Sequence, residues 1–315
     1  MTMLQKISAR IFASVAYAVL RLTGWKKKTV LENYEHVSQG TQGREGAELE
    51  PSFAELEPHD LYLKMLKNLT RHVGELLFCF DTYKNLPEAC AKNSPGAAYP
   101  CKVGGVNFEL AEGAAAVVEK MRGGGIFLTA HYGNYEASGA WLCALGVPLK
   151  ASFIPLKPAW LNKLVYEKIR SVRGRPYSVD AQTPRDFLRI LESGELFCLL
   201  ADQDSRIGSA LDGTFLGREV HHNPVPDFLL KHRPNTPVFF CWIEELPGRK
   251  ILHAEEVATN IQNTDSISRE THSRMTAIVD GPYSEWLESR IKENPALWYG
   301  WTHRRFRSTN PEIYH

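Results

Sequence analysis

The chain has 315 residues, 43% of them hydrophobic and 10% aromatic, enough apolar side chain to bury a sizeable core in one large or two small domains. Lys and Arg number 37 against 36 Asp and Glu, so no global positive field singles out a nucleic acid as partner. The six cysteines (Cys79, Cys90, Cys101, Cys143, Cys198 and Cys241) make no C-x-x-C pair and several sit in apolar runs, which reads as reduced thiols in a reducing compartment.

The N-terminal stretch "LQKISARIFASVAYAVLRLTGWKKK" holds an uninterrupted apolar run over 11–20, between Arg10 and Arg21. That run is too short to span a bilayer core, which needs about 20 apolar residues, and no small-residue cleavage site follows it. Ile7, Ile11, Phe12, Val15 and Val19 recur at helical spacing, and Trp25 precedes Lys26, Lys27 and Lys28. This pattern fits a helix lying on an anionic membrane face, or an amphipathic helix packed on the core.

Residues 35–57 are polar and acidic, with "SQGTQGREG" as a loop, and 60–80 carries apolar residues at three- and four-residue spacing that predict a helix. The chain therefore divides into an anchor (1–28), a helical lead-in (29–111) and a catalytic unit (112–315). From 112 the pattern alternates. It predicts a helix to 121, a triple-glycine break, a strand over 126–129, a helix to about 145, a strand over 149–154 and a helix over 159–172. A helix over 184–191, a strand over 196–201, a helix near 227–231, strands over 237–243 and 251–255 and a long helix over 267–289 follow. The fold class is α/β, with a mostly parallel central sheet flanked by helices. Chemistry in such sheets sits outside the carboxyl ends of the strands, and His131 stands at one of them.

Within "FLTAHYGNYEASGAW", five helical steps would leave His131 and Glu136 about 140° apart on one continuous helix. They can meet if the helix starts between them, with Gly133 in a tight turn, Asn134 as N-cap and Glu136 in the first turn. Glu136 would then accept a hydrogen bond from one imidazole nitrogen and leave the other as a general base. No G-x-S-x-G elbow or poised cysteine supplies a nucleophile, so the hydroxyl to be activated belongs to the substrate. Direct acyl transfer to an alcohol is the chemistry this implies.

Four segments in order, "TAHYGNYE", "IPLKPAWLNKLVYEKIRSVRG", "GELFCLLADQD" with "GTFLGREV", and "ENPALWYGWTHRRFR", make the stretch 123–307 resemble the late acyltransferases of bacterial lipid A biosynthesis. The resemblance implies a glycerolipid acyltransferase-like fold with His131 as general base and Glu136 as its partner. It also implies acyl carrier protein as donor, no cofactor or metal, and a glycolipid acceptor at the cytoplasmic face of the inner membrane. Arg170 or Arg173 would be an arginine of the active-site groove, Asp202 and Gln203 a polar wall, and Asn134 a further substrate contact.

His303, Arg304, Arg305 and Arg307 form a basic cluster beside Trp298 and Trp301, with Lys163 and Lys168 adding charge. The cluster either meets the acidic carrier protein or pins the C-terminus to the core. The family pattern after "DQ" is replaced by a segment carrying His221 and His222, which leaves the acceptor open between a lipid A precursor and a phosphatidylinositol mannoside or other glycolipid. Those two histidines, with His131, Asp202 and Asp204, also raise a metal-dependent hydrolase, although no H-E-x-x-H spacing is present. A non-catalytic lipid-binding protein is the third class.

Overall fold

A computed structural model describes residues 2–41, 56–93, 99–153, 162–205, 208, 210–258 and 277–314. Its centre is an eight-stranded sheet in the order β1-β2-β12-β11-β3-β8-β4-β7. The strands are β1 (Cys101–Val103), β2 (Val106–Leu110), β3 (Gly125–Thr129), β4 (Leu149–Ser152), β7 (Ser178–Val179), β8 (Leu196–Leu200), β11 (Val238–Leu246) and β12 (Arg249–Val257). Pairings β11/β3, β3/β8, β8/β4, β4/β7 and β12/β2 are parallel; β1/β2 and β11/β12 are antiparallel hairpins. A pair β5 (Ser171–Val172) with β6 (Arg175–Pro176) and a hairpin β9 (Leu211–Phe215) with β10 (Arg218–His222) stand outside it.

Strand β3, "GIFLT", is buried at every position, because the sheet is covered on both faces. Successive side chains of a strand point to opposite faces, and here they feed two cores. Ile126 and Leu128 join Phe197, Phe240, Trp242 and Trp298 on one side, whereas Phe127 joins Trp141, Phe239 and Cys241 on the other.

Ahead of the sheet run α1 (Met3–Thr23), α2 (Lys27–Thr41), α3 (Pro58–Phe78), α4 (Asp81–Lys84) and α5 (Leu86–Asn93). Helices α6 (Ala114–Met121), α7 (Tyr135–Ala144), α8 (Pro184–Glu192), α9 (Val225–His232) and α10 (Ser284–Glu293) connect or flank the strands. Helix α1 lies antiparallel on α3. Gly74 lets the backbones touch, since a Cβ there would stand 2.6 Å from the Ala9 carbonyl oxygen. Phe12 meets Phe78 with ring centroids 5.9 Å apart, and the Tyr62 hydroxyl donates to the carbonyls of Leu20 (3.3 Å) and Trp25 (3.1 Å). The opposite face leaves Leu4, Ile7, Ile11, Val15, Val19 and Leu22 exposed. One face is packed on the protein, as the core-packing reading expects, and the other is an exposed apolar stripe. The uninterrupted run also understates the helix. Among the described residues α1 is the one helix long and apolar enough to cross a membrane, at 21 residues and mean hydropathy 1.2.

Several expectations change. Helix α2 continues to Thr41, through the first part of the predicted loop, and 42–55 lie outside the described residues. The lead-in is not wholly helical, because β1 and β2 extend the main sheet through β12. The predicted helix over 159–172 is cut short: 154–161 are outside the described residues, one wide helical turn covers Leu164–Ile169, and β5 then turns back on β6. The start of the predicted helix over 267–289 is likewise outside; the described part breaks at Gly281 and Pro282 before α10. Cys90 and Cys101, read as free thiols, are joined in a disulfide. Packing of α5 against β1 brings their Cα atoms to 5.2 Å, within the usual bridging range. Cys79, Cys143, Cys198 and Cys241 are free.

Candidate active site

Register brings two distant residues together. Thr129 at the end of β3 is the partner of Leu200 at the end of β8, and the Ala201 N–H donates to the Thr129 carbonyl at 3.3 Å. Two residues beyond each end stand His131 and Asp202. Asp202, its side chain fully buried, accepts from His131 Nδ1 at 2.8 Å, from the His131 backbone N–H at 3.1 Å and from Trp298 Nε1 at 2.9 Å. Burial alone would push this carboxyl up, but the His131 charge and the donated hydrogen bonds hold it at about 2. An ionised Asp202 requires Nδ1 to carry the proton, so Nε2 of the partly exposed imidazole is left with its lone pair. For His131 itself, burial disfavours the charged form, and Asp202 outweighs it, with Glu136 adding to the rise; the net shift is upward.

The turn carrying His131 is stitched to the segment after α10. Gly133, at φ +57°, makes the tight turn, and its N–H donates to the Leu297 carbonyl at 2.8 Å. The Tyr299 N–H donates to the His131 carbonyl at 2.7 Å, and Tyr132 bridges Trp298. Below it lies a buried polar chain. Glu75 of α3 accepts from Asn134 Nδ2 (3.0 Å) and Lys250 Nζ (2.6 Å), Lys250 also reaches Glu245, and His72 joins Glu245 (2.7 Å) to the Tyr299 hydroxyl (2.5 Å).

Glu136 is where the sequence puts it, in the first turn of α7, but it does not bond His131. Its carboxylate takes the Arg170 guanidinium, with Nε at 3.1 Å from Oε2 and a second N–H on Oε1. Arg170, just past the wide turn, presents a planar fork that matches both oxygens, and Asp202 has already claimed Nδ1. Asn134 stands at the N-cap position, yet its buried amide points inward to Glu75 and Tyr83 rather than capping α7, so it supports the turn from beneath. Arg173 lies in the β5–β6 turn and pairs with Glu88 of α5, its Nε at 3.2 Å; no hydrogen bond or ion pair joins it to the His131 cluster among the described residues. Gln203 does border the site, with Nε2 3.3 Å from His303 Nε2.

The basic cluster divides. Arg304 and Arg307 are exposed, as is Lys163, but Arg305 is 1% exposed. Its guanidinium donates to the His221 carbonyl at 3.0 Å and to His222 Nδ1 at 3.3 Å and lies over the Phe215 ring. Arg305 therefore ties the C-terminal segment to the β9–β10 hairpin and is turned inward from the surface. His221 pairs with Asp212 at 3.2 Å, while burial and the Arg305 charge hold His222 down to about 4, a neutral imidazole inside the hairpin. Among the described residues no three His, Cys, Asp or Glu side chains gather as a metal site.

The sequence places Glu136 on one imidazole nitrogen of His131, whereas the nitrogen that is bonded, Nδ1, goes to Asp202 and Glu136 goes to Arg170. Sequence reasoning missed Trp298 as a donor to Asp202 and His303 as a ring neighbour of His131. The available signal was that His131 and Asp202 each stand two residues past the end of an apolar strand, in "LTAH" and "LLAD".

With this geometry in view, the family comparison is informative: the family model for bacterial lipid A biosynthesis acyltransferase matches residues 112–308, and the chain belongs to this family. No curated protein matches the chain.

Proposed function

We propose that this acyltransferase moves a fatty acyl chain from the thioester of acyl carrier protein to a hydroxyl of a lipid A precursor, with His131 as general base and Asp202 as the group that orients it. The observation that carries the reading is the buried Asp202 carboxylate on Nδ1, which leaves Nε2 of the partly exposed imidazole as a base. Nε2 takes the proton of the acceptor hydroxyl, the oxygen attacks the thioester carbon, and Asp202 stabilises the imidazolium that forms. The departing thiolate recovers that proton when the carbon–sulfur bond breaks. The Glu136–Arg170 pair beside the base presents spare guanidinium N–H groups to an anionic acceptor.

Membrane delivery of the acceptor fits α1. Its apolar stripe ends at Trp25, and Lys26, the next residue, is close enough for its charge to weigh on His303 at the site. An apolar groove of about 600 Å³ between α1 and α3, lined by Phe12, Val19, Leu20, Trp25, Leu69 and Val73, is the surface we assign to a lipid tail. The exposed Arg304 and Arg307 suit an acidic carrier, which sits with the cytoplasmic face of the inner membrane.

The test is to incubate purified protein with acyl-carrier thioester and candidate acceptors and to follow the products by mass spectrometry. Acylated lipid A precursor is expected from wild type and none from His131→Ala. Acylation of a phosphatidylinositol mannoside instead would replace the acceptor, and a folded His131→Ala protein with full activity would overturn the mechanism.

A further inference from the structure

A second imidazole faces the first. The His303 ring centroid lies 5.6 Å from that of His131, with the planes tilted by 42°. The backbone at His303 is fixed on both sides: its N–H donates to the Gly300 carbonyl at 2.9 Å, and its own carbonyl accepts from Asn33 Nδ2 at 2.7 Å. The ring itself remains exposed. Gln203, the neighbour of Asp202, brings its Nε2 to 3.3 Å from His303 Nε2. An amide NH₂ only donates, so this ring nitrogen accepts and the proton of the neutral imidazole resides on Nδ1, which has no partner among the described residues. Burial, and then the His131 charge, hold His303 below the ordinary histidine pKa, while His131 is raised. When His131 takes up a proton, His303 therefore stays a neutral donor. Beside it, Asp202 and Glu136 are acceptors, and the Arg170 guanidinium holds both oxygens of Glu136.

We infer that His303 is a further catalytic residue, whose Nδ1–H holds the thioester carbonyl oxygen as it becomes an oxyanion; the inference rests on the acyl-transfer reading above. In that step the acceptor hydroxyl loses its proton to His131 Nε2 and its oxygen bonds the carbonyl carbon. The carbonyl electron pair moves onto oxygen, which accepts the hydrogen bond from His303. On collapse that pair re-forms the carbonyl, the carbon–sulfur bond breaks, and the thiolate takes the proton from His131. His303 gives up no proton and ends as it began. Gln203 acts as a positioning residue, by keeping the proton on Nδ1.

The experiment compares wild type, His131→Ala, His303→Ala and His303→Asn with acyl-carrier thioester and acceptor. An asparagine amide can stand where Nδ1 stood. Removing one oxyanion donor costs roughly 100-fold in kcat, so His303→Ala is expected to lose about that much with KM, melting temperature and the pH of half-maximal kcat/KM unchanged. His303→Asn is expected to regain at least tenfold of the loss. The inference is overturned if His303→Ala keeps wild-type kcat, if the loss falls on KM alone, or if the pH profile moves, which would make the ring an acid or base. Should His303→Ala melt early, His303→Asn decides: near-Ala kcat in a stable Asn protein overturns the oxyanion role. Absence of transfer by wild type is a different result, which removes the acyl-transfer reading and this inference with it.

Discussion

His131 and Asp202 meet because each stands two residues past a register-paired strand end, Thr129 on β3 and Leu200 on β8. The contact is a property of the sheet, and Trp298 then fixes the carboxylate from the far side. Asp202→Asn replaces one acceptor oxygen by an NH₂ facing donors, which disturbs the tautomer and orientation of the base. A loss of roughly 10³- to 10⁴-fold in kcat is expected, with the fold retained. Glu136→Gln, acting on Arg170 and on His131 only through space, is expected to cost less. Steady-state rates of the two variants decide, and the reverse order would return the orienting role to Glu136.

The raised pKa of His131 makes activity and stability run in opposite directions over one pH window. The base must be neutral, so kcat/KM is expected to rise with pH through an apparent pKa above 6.5. For stability the sign is the reverse. A group whose pKa is higher folded than unfolded contributes stability that is complete below the unfolded value and is lost as pH rises through the folded one. The melting-temperature advantage of wild type over His131→Gln should therefore shrink from pH 6 towards pH 8. Asp202 works at the acid end: its pKa of about 2 means that its contribution is present above the ordinary carboxylate value of 3.8 and disappears as pH falls towards 2. Asp202→Asn should remove that acid-labile part of the stability curve.

What was legible in the sequence follows distance along the chain. Strands β3, β8 and β11 could be read because a fully buried strand is a continuous apolar run, and His131 could be placed because it ends one. Gly133 and Glu136 are local to the same turn. Asp202 is 71 residues from His131, and its role depends on β8 pairing with β3, a fact of topology that no local pattern carries. Trp298 and His303 arrive from the C-terminal end through backbone bonds to the 131–133 turn and to Asn33. Arg305 illustrates the same limit: in "THRRFR" nothing marks which arginine turns inward, and only the β9–β10 hairpin, itself missing from the strand prediction, gives it partners.

That division of the arginines separates two effects in one motif. Arg305→Leu removes a fully buried cation that holds the His221 carbonyl and His222, and a loss of about 3 kcal/mol in stability is expected with donor preference unchanged. Arg304→Glu with Arg307→Glu alters two exposed charges, one of which, Arg304, stands 5.5 Å from the Tyr314 ring centroid. Melting temperature should hold, while kcat/KM for acyl-carrier thioester falls and its dependence on ionic strength weakens. Thermal melts and salt titrations of both variants test this, and carrier use as good as wild type in Arg304→Glu/Arg307→Glu would remove the contact.

The apolar stripe of α1 can be tested apart from its packed face. Deleting the helix would uncover α3 where Ala9 covers Gly74 and Phe12 covers Phe78, so a deletion confuses membrane release with misfolding. Leu4 and Ile11, 73% and 60% exposed, project from the other side. Leu4→Asp with Ile11→Asp should leave the melting temperature alone. Each side chain gives up about 1.5–3 kcal/mol of transfer free energy and gains a charge, so partition onto anionic vesicles is expected to fall by at least 100-fold. High salt should loosen the wild type only partly, because Lys26, Lys27 and Lys28 add electrostatic attraction to a mainly apolar contact. Vesicle flotation of both proteins checks it, and a double variant that still floats as wild type does would move the membrane contact away from α1.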